Sequence, residues 1–146
     1  MVILDTDHLT IIQRRTEPEY SRLKHHLRKY IESEVYTTII NFEEQIRGWL
    51  SVIASAKDSN KEIKAYKDLQ LSLKFFQDIQ ILEYDENAKD QLIKLQKLRI
   101  RIGTMDLKIA SIAISKNAKL FSRNLKDFQK ISGLIVVDAK EATLTN

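Results

Sequence analysis

Apolar residues along the chain follow two alternating spacings. Val2-Ile3-Leu4 is a short apolar run that breaks off into Asp5-Thr6-Asp7, the pattern of a buried strand meeting solvent at its C-terminal end. From about Leu9 to Ile31 the spacing is helical in two pieces, broken near Thr16-Glu17-Pro18, where Pro18 can open the second helix. Val35 to Ile40 is β-branched and aromatic and predicts a second strand. Phe42, Ile46, Trp49, Leu50 and Ile53 then recur at helical spacing, which predicts a helix with this set as its core stripe and Asn41 as its cap. A polar stretch from Lys57 to Lys61 precedes a helix reaching about Phe76, and Ile79-Gln80-Ile81-Leu82 predicts a third strand.

Asp85 can cap a further helix running to about Ile100. Gly103-Thr104 stops it and opens another, whose Leu107, Ile109, Ala110, Ile112, Ala113 and Ile114 are apolar on most sides, so it belongs in the interior. Lys119 to Ser122 and Leu134 to Val137 supply two more strands, with Asn124 to Lys130 as a turn or short helix between them. Strands alternating with helices predict an α/β fold with a parallel sheet covered on both faces, and such sheets place their sites beyond the strands' carboxyl ends.

Composition narrows the class. The 146 residues, 43% hydrophobic and 30% charged, fit one domain spanning 1–146 with a real core. Three Gly and one Pro exclude collagen-like and linker-rich chains, and the aliphatic content excludes disorder. The absence of Cys rules out a disulfide scaffold, a thiolate metal site and a cysteine nucleophile, and fits a reducing, cytoplasmic compartment. Val2-Ile3-Leu4 is too short for a signal sequence and no run is long enough to span a bilayer, so the chain is expected to be neither exported nor embedded. A net charge of +4 permits a polyanionic partner. The cations cluster: Lys24, Arg28 and Lys29 lie beside His25 and His26, and Lys94, Lys97, Arg99 and Arg101 crowd the approach to Gly103.

The carboxyl-end rule gathers acids. Asp5 and Asp7 follow the first strand, Glu43 and Glu44 the second, Asn124 and Asp127 the fourth, and Asp106 sits in the first turn of the interior helix. Carboxylates converging on one end of a sheet repel one another unless a cation lies among them, and hard oxygen donors suit Mg²⁺ or Mn²⁺. Each residue has a plainer reading. Asn41 and Glu44 fit a capping box, Asp106 can stabilise a helix dipole, and Asp5-Thr6-Asp7 can form a turn. Against the cap, Glu44 shares its helix face with Gly48, Ser51 and Ser55, opposite the apolar stripe, while Glu43 lies one turn before Arg47 and suits a surface pair. His8, His25 and His26 lack metal-ligand spacing and read as solvated or partly buried histidines. No Gly-rich phosphate loop, nucleophile elbow or nucleotide fingerprint is present, and the aromatics sit mostly at core spacing.

Four blocks in register resemble one family. Leu4-Asp5-Thr6-Asp7, Asn41-Phe42-Glu43-Glu44-Gln45-Ile46-Arg47-Gly48, Ile102-Gly103-Thr104-Met105-Asp106-Leu107-Lys108-Ile109-Ala110 and Leu120-Phe121-Ser122-Arg123-Asn124-Leu125-Lys126-Asp127-Phe128 resemble the PIN-domain ribonucleases of the VapC toxin type. The resemblance covers almost the whole chain. It implies a three-layer α/β/α sandwich with a short, mainly parallel sheet. It also implies Mg²⁺- or Mn²⁺-dependent cleavage of RNA, with tRNA or rRNA as target and translation inhibited, together with a homodimer and a cognate VapB-like antitoxin. Carried over by residue, it makes Asp5, Glu44 and Asp106 metal-binding and catalytic. The family often has Asp where this chain has Asn124, a departure that leaves the amide of Asn124 as a ligand, with Asp127 able to substitute through one helical turn. Two further readings remain: a PIN-domain RNA-processing nuclease outside a toxin pair, and a catalytically inert PIN-fold interaction protein. An adjacent antitoxin reading frame and metal binding, respectively, discriminate them.

Overall fold

Val2, Ile3 and Leu4 are all fully buried, because the strand they form, β1 (Val2–Leu4), lies in the middle of a sheet with helices on both faces. The computed structural model describes residues 1–139. Flanking β1 are β2 (Val35–Thr38) and β4 (Lys119–Phe121), with β3 (Gln80–Leu82) and β5 (Val136–Val137) outside them, in the order β3-β2-β1-β4-β5. Every pairing is parallel. The helices are α1 (Thr6–Arg14), α2 (Glu19–Leu27), α3 (Ile39–Ser55), α4 (Ser59–Asp78), α5 (Glu86–Lys97), α6 (Thr104–Ser115) and the single turn α7 (Leu125–Phe128).

Alternation along β1 separates two cores. Ile3 points to the face packed by α5, α6 and α7, through Leu92, Leu95, Ile109, Ile112 and Phe128. Val2 and Leu4 point to the opposite face, where Leu9, Leu23, Phe76 and Phe121 meet. The three-layer sandwich is therefore present, and α6 is the interior helix its composition predicts: Leu107, Ile109, Ala110, Ile112 and Ala113 are all buried. Among the described residues no helix is long and apolar enough to cross a membrane.

Several boundaries move for physical reasons. The second strand ends at Thr38, and Ile39-Ile40 open α3 instead of extending β2, because Thr38 caps the helix in place of Asn41. Thr38 Oγ1 accepts from the Asn41 backbone N–H (3.2 Å), and Asn41 Oδ1 accepts from the Thr38 N–H (3.3 Å), a reciprocal box in which an amide replaces the usual Glu. Leu50 is 52% exposed. At about 100° per residue it stands about 80° from Phe42 and falls off the Phe42-Ile46-Trp49-Ile53 stripe. Phe42 meets Phe76 edge-on, with ring centroids 5.0 Å apart, joining α3 to α4. α2 stops at Leu27, leaving Ile31 67% exposed before a 3₁₀ turn at Glu32–Glu34. α5 stops at Lys97, after which Arg99 turns left-handed (φ 52°).

The chain returns to opposite sides of β1 when it lays down β2 and β4. This is the switch point of an open parallel sheet, where the connections diverge and leave a crevice at the carboxyl ends. The crevice is bounded by the starts of α1, α3 and α6 and by the segment after β4.

Candidate active site

Asp5 is both the end of β1 and the cap of α1. Its backbone N–H donates to Phe121 O (2.9 Å), continuing the pairing of β1 with β4, and its carbonyl accepts the Leu9 N–H (3.0 Å). The side chain is equally constrained. Oδ1 accepts from the Thr6 backbone N–H (2.9 Å) and Asn41 Nδ2 (2.7 Å), and Oδ2 accepts from Ser122 Oγ (2.6 Å). Burial of this carboxyl pushes its pKa up to about 6, with neighbouring Asp7 and Glu44 adding to the rise and the bonds from Ser122 and Thr6 opposing it.

Glu44 enters from α3. Its Oε2 accepts from Thr6 Oγ1 (2.6 Å), which itself accepts from Asn41 Nδ2 (3.1 Å), so one buried amide serves both acids, bonding Asp5 directly and reaching Glu44 through a hydroxyl. The cap alternative for Glu44 does not hold, since Thr38 and Asn41 satisfy each other. Glu43 instead pairs with Arg47 (2.7 Å) on the surface, as its spacing predicts.

Across the crevice Asn124 Nδ2 donates to both Asp106 Oδ2 and Asp127 Oδ2, each at 3.1 Å. The two acids differ. Asp106 is partly buried, and desolvation first, then Glu44, raises its pKa despite the bond from Asn124. Asp127 is lowered, by the bond from Asn124 and then by Lys130, whose Nζ lies 3.3 Å from Oδ1. The loop between β4 and α7 is fixed from two sides: the Asn124 N–H donates to Ser122 Oγ (3.0 Å), and the Arg123 N–H donates to Asp7 Oδ2 (2.9 Å).

Asp5, Glu44 and Asp106 thus face one crevice, and none forms an ion pair with a Lys, Arg or His of the described residues. They lie close enough for Glu44 to raise the pKa of both aspartates. Among the described residues no three acidic or imidazole side chains stand close enough to cage an ion. That spacing still fits magnesium chemistry: Mg²⁺ keeps several waters and takes one or two carboxylates, whereas a dedicated cage suits other ions. The donors are all hard oxygens, and a cation would offset the cost of burying Asp5 and Asp106 as charges, the main cause of their raised pKa, as well as the smaller repulsion from neighbouring acids.

Sequence reasoning missed the residues that hold the acids. Thr6, Asn41 and Ser122 supply the donors to Asp5 and Glu44, and a usable signal was present: a carboxylate buried at a strand end needs hydroxyl or amide donors beside it, and all three stand inside the quoted blocks. His8 is also corrected. It is fully buried, with Nδ1 2.6 Å from Asp7 Oδ1 and Nε2 accepting from the Ala139 N–H (3.3 Å), so it fastens the end of the described chain to α1.

Comparison with known proteins follows the same lines. The PIN domain family profile matches residues 2–134. Ribonuclease VapC1 of Rickettsia felis is 49% identical over 43 residues, 30% of this chain and 32% of that protein, so the aligned segment spans about a third of the relative. The structure of VapBC-1 from nontypeable Haemophilus influenzae superposes with a TM-score of 0.71 at 22% identity, covering 97% of this chain and 100% of that one. VapBC2 from Rickettsia felis, bound to a DNA fragment from its promoter, gives a TM-score of 0.69 at 23% identity over 94% of this chain and 98% of that one. At such identities the structural likeness speaks for the fold.

Proposed function

The chain belongs to the PIN domain family, and on that premise we propose that it is a divalent-metal-dependent endoribonuclease acting as the toxin of a toxin–antitoxin pair. The observation carrying this reading is the set of Asp5, Glu44 and Asp106 around one crevice, without cationic partners among the described residues and with both aspartate pKa values raised. In this reading Mg²⁺ or Mn²⁺ would sit among Asp5, Glu44, Asp106 and Asn124, held directly by one or two of the carboxylates and through its waters by the other groups, with Asp127 at the rim. When bound, the ion activates a water and offsets the charge developing on the phosphoryl oxygens.

The chain's own residues do the rest. Ser122, Asn41 and the Thr6 N–H fix Asp5 through three hydrogen bonds, so its position is set before RNA arrives. Thr6 holds Glu44 in the same way. Asp106, raised and only partly buried, is the carboxylate suited to take the water's proton. Exposed Arg101, Arg123 and Lys126 offset the repulsion between this acidic site and a polyanion, so affinity weakens as salt rises.

The toxin assignment is supported by the VapBC complexes among the structural neighbours, and it implies a small antitoxin and a homodimer. The test is purified protein incubated with total RNA in Mg²⁺, Mn²⁺ or EDTA, followed by mapping of new RNA ends. Discrete cuts that need the metal and vanish in Asp106→Asn are expected; cleavage that persists in EDTA refutes the reading. Growth arrest on expression, relieved by the neighbouring gene product, separates a toxin from a processing nuclease.

A further inference from the structure

We propose that the cleft between α1 and α3, directly beside Glu44, is a subsite for the RNA base flanking the scissile phosphate, with Trp49 as its stacking surface. The proposal rests on the nuclease reading above and adds to it the pocket that selects the base.

The cleft encloses about 320 Å³, at the lower end of the volumes of about 300–1,000 Å³ found for small-molecule sites. Thr6 and Glu44 line it, so it opens onto the same groups that form the acidic site. Its other walls have the chemistry of base recognition. The indole of Trp49 offers a stacking face, while its Nε1–H is sealed from the surface without an acceptor among the described residues, so a base would meet the ring through its face and not through its polar edge. Gln13 and Gln45 hold each other through paired amide bonds of 2.8 and 2.9 Å, presenting donors and acceptors in a fixed register. Arg14, exposed at the cleft's mouth, can meet phosphate.

Gly48 is the second, independent observation. It stands inside α3, one turn after Glu44, where glycine weakens a helix, so a reason for its presence is required. Close packing is not that reason: a Cβ built there would have no neighbour within 4 Å. The vacant space belongs to the cleft, and a glycine keeps it open to an incoming ligand. Beyond the cleft, Arg14 and Trp49 also line two neighbouring cavities that share Lys64 with its ion-pair partner Asp68 (3.3 Å), and one of them adds Lys61, so Arg14 and Lys61 are the cations a backbone would meet there. Trp49 was expected to be core; it is instead partly exposed and borders all three cavities.

Trp49 is the only tryptophan in the chain and reports on the cleft directly. Metal-free protein in EDTA, titrated with a mixed-sequence single-stranded RNA hexamer, should show saturable quenching of tryptophan emission. Gly48→Leu, which fills the cleft from an unobstructed helix position, should abolish that quenching while its melting temperature holds or rises. In Mg²⁺, Trp49→Leu should lower kcat/KM about tenfold and flatten the base preference beside mapped cuts. Cleavage by the wild type with no quenching, or with equal quenching in Gly48→Leu, overturns the subsite and leaves the nuclease reading standing. Gly48→Leu-sensitive quenching without any cleavage shows RNA held in the cleft but overturns the nuclease reading and, with it, the cleft's place beside a scissile phosphate. Quenching by the neighbouring antitoxin and not by the hexamer assigns the cleft to a protein partner and overturns the proposal.

Discussion

The two shoulders of the acidic crevice hold charge in opposite ways. On the β1 shoulder Asp5 is only 6% exposed, wrapped by neutral donors, and its carboxyl is raised to about 6. On the α7 shoulder Asp127 has Lys130 at 3.3 Å and a lowered carboxyl. Neutral hydrogen bonds position a carboxylate without cancelling its charge, whereas a lysine cancels charge and leaves little for a metal. The β1 shoulder therefore keeps its negative charge uncompensated, and the α7 shoulder has a lysine beside it.

Removing the charge from the buried shoulder should break the protein's chemistry most severely. Asp5→Asn is expected to reduce cleavage by roughly a thousand-fold or more, equivalent to several kcal/mol of transition-state stabilisation. Its circular dichroism should be unchanged and its melting temperature in EDTA at pH 7 equal to or above the parent's. Full cleavage by a folded Asp5→Asn protein would remove the β1 shoulder from the mechanism.

Acidity tests the same contrast without RNA. A carboxyl whose folded pKa of about 6 exceeds its unfolded value of 3.8 binds its proton more tightly in the folded state. Its contribution to stability is complete below the unfolded value and is lost as pH rises through 6, an effect of roughly 3 kcal/mol at full extent. Urea midpoints of metal-free protein should thus fall between pH 5 and 7.5, after allowance for the remaining groups, and Asp5→Asn should flatten that fall. An unaltered profile in the variant would show that burial of the Asp5 carboxyl does not set this pH dependence.

On the α7 shoulder Asp127→Asn should cost no more than about tenfold in kcat/KM, because its charge is shared with Lys130. A loss as large as that of Asp5→Asn would place Asp127 among the metal ligands and erase the distinction between shoulders. The smallest change separates adjacent residues: Glu43→Gln should alter cleavage less than twofold, since Glu43 meets only exposed Arg47, while Glu44→Gln should lose at least a hundred-fold. Both should melt near the parent's temperature. Reversal of this pair would move the site to the other face of α3.

Asp5 was legible in sequence because a strand buried on both faces leaves a short continuous apolar run cut off by charge, and Glu44 and Asp106, which lie in helices, were picked out by the four blocks in register. The start of α3 was not legible for a local reason. Ile39 and Ile40 are β-branched and favour a strand by composition, yet the reciprocal bonds of Thr38 and Asn41 begin a helix there, and propensity yields to capping. Leu50 and Ile31 were misplaced because apolarity alone does not state which side of a helix finds a partner. His8 was misjudged since its burial depends on Asp7 and on the Ala139 N–H, a group 131 residues away. Long-range partners of this kind have no periodicity.

The bond from Ser122 to Asp5 closes a loop of 117 residues, and β1 can pair with β4 only when both exist. Such non-local closures are slow to form and come late in folding, after local helices have appeared. At the roughly 5–20 residues per second of synthesis, Asp5 waits on the order of 6 to 25 seconds for Ser122 to be made, and longer for it to leave the ribosome. Throughout that interval the central strand lacks one neighbour and its acid lacks the hydroxyl that fixes it. A nascent chain built this way cannot lock Asp5 in place until Ser122 has emerged, so the geometry of the acidic crevice is a property of the folded chain and not of its growing N-terminal part.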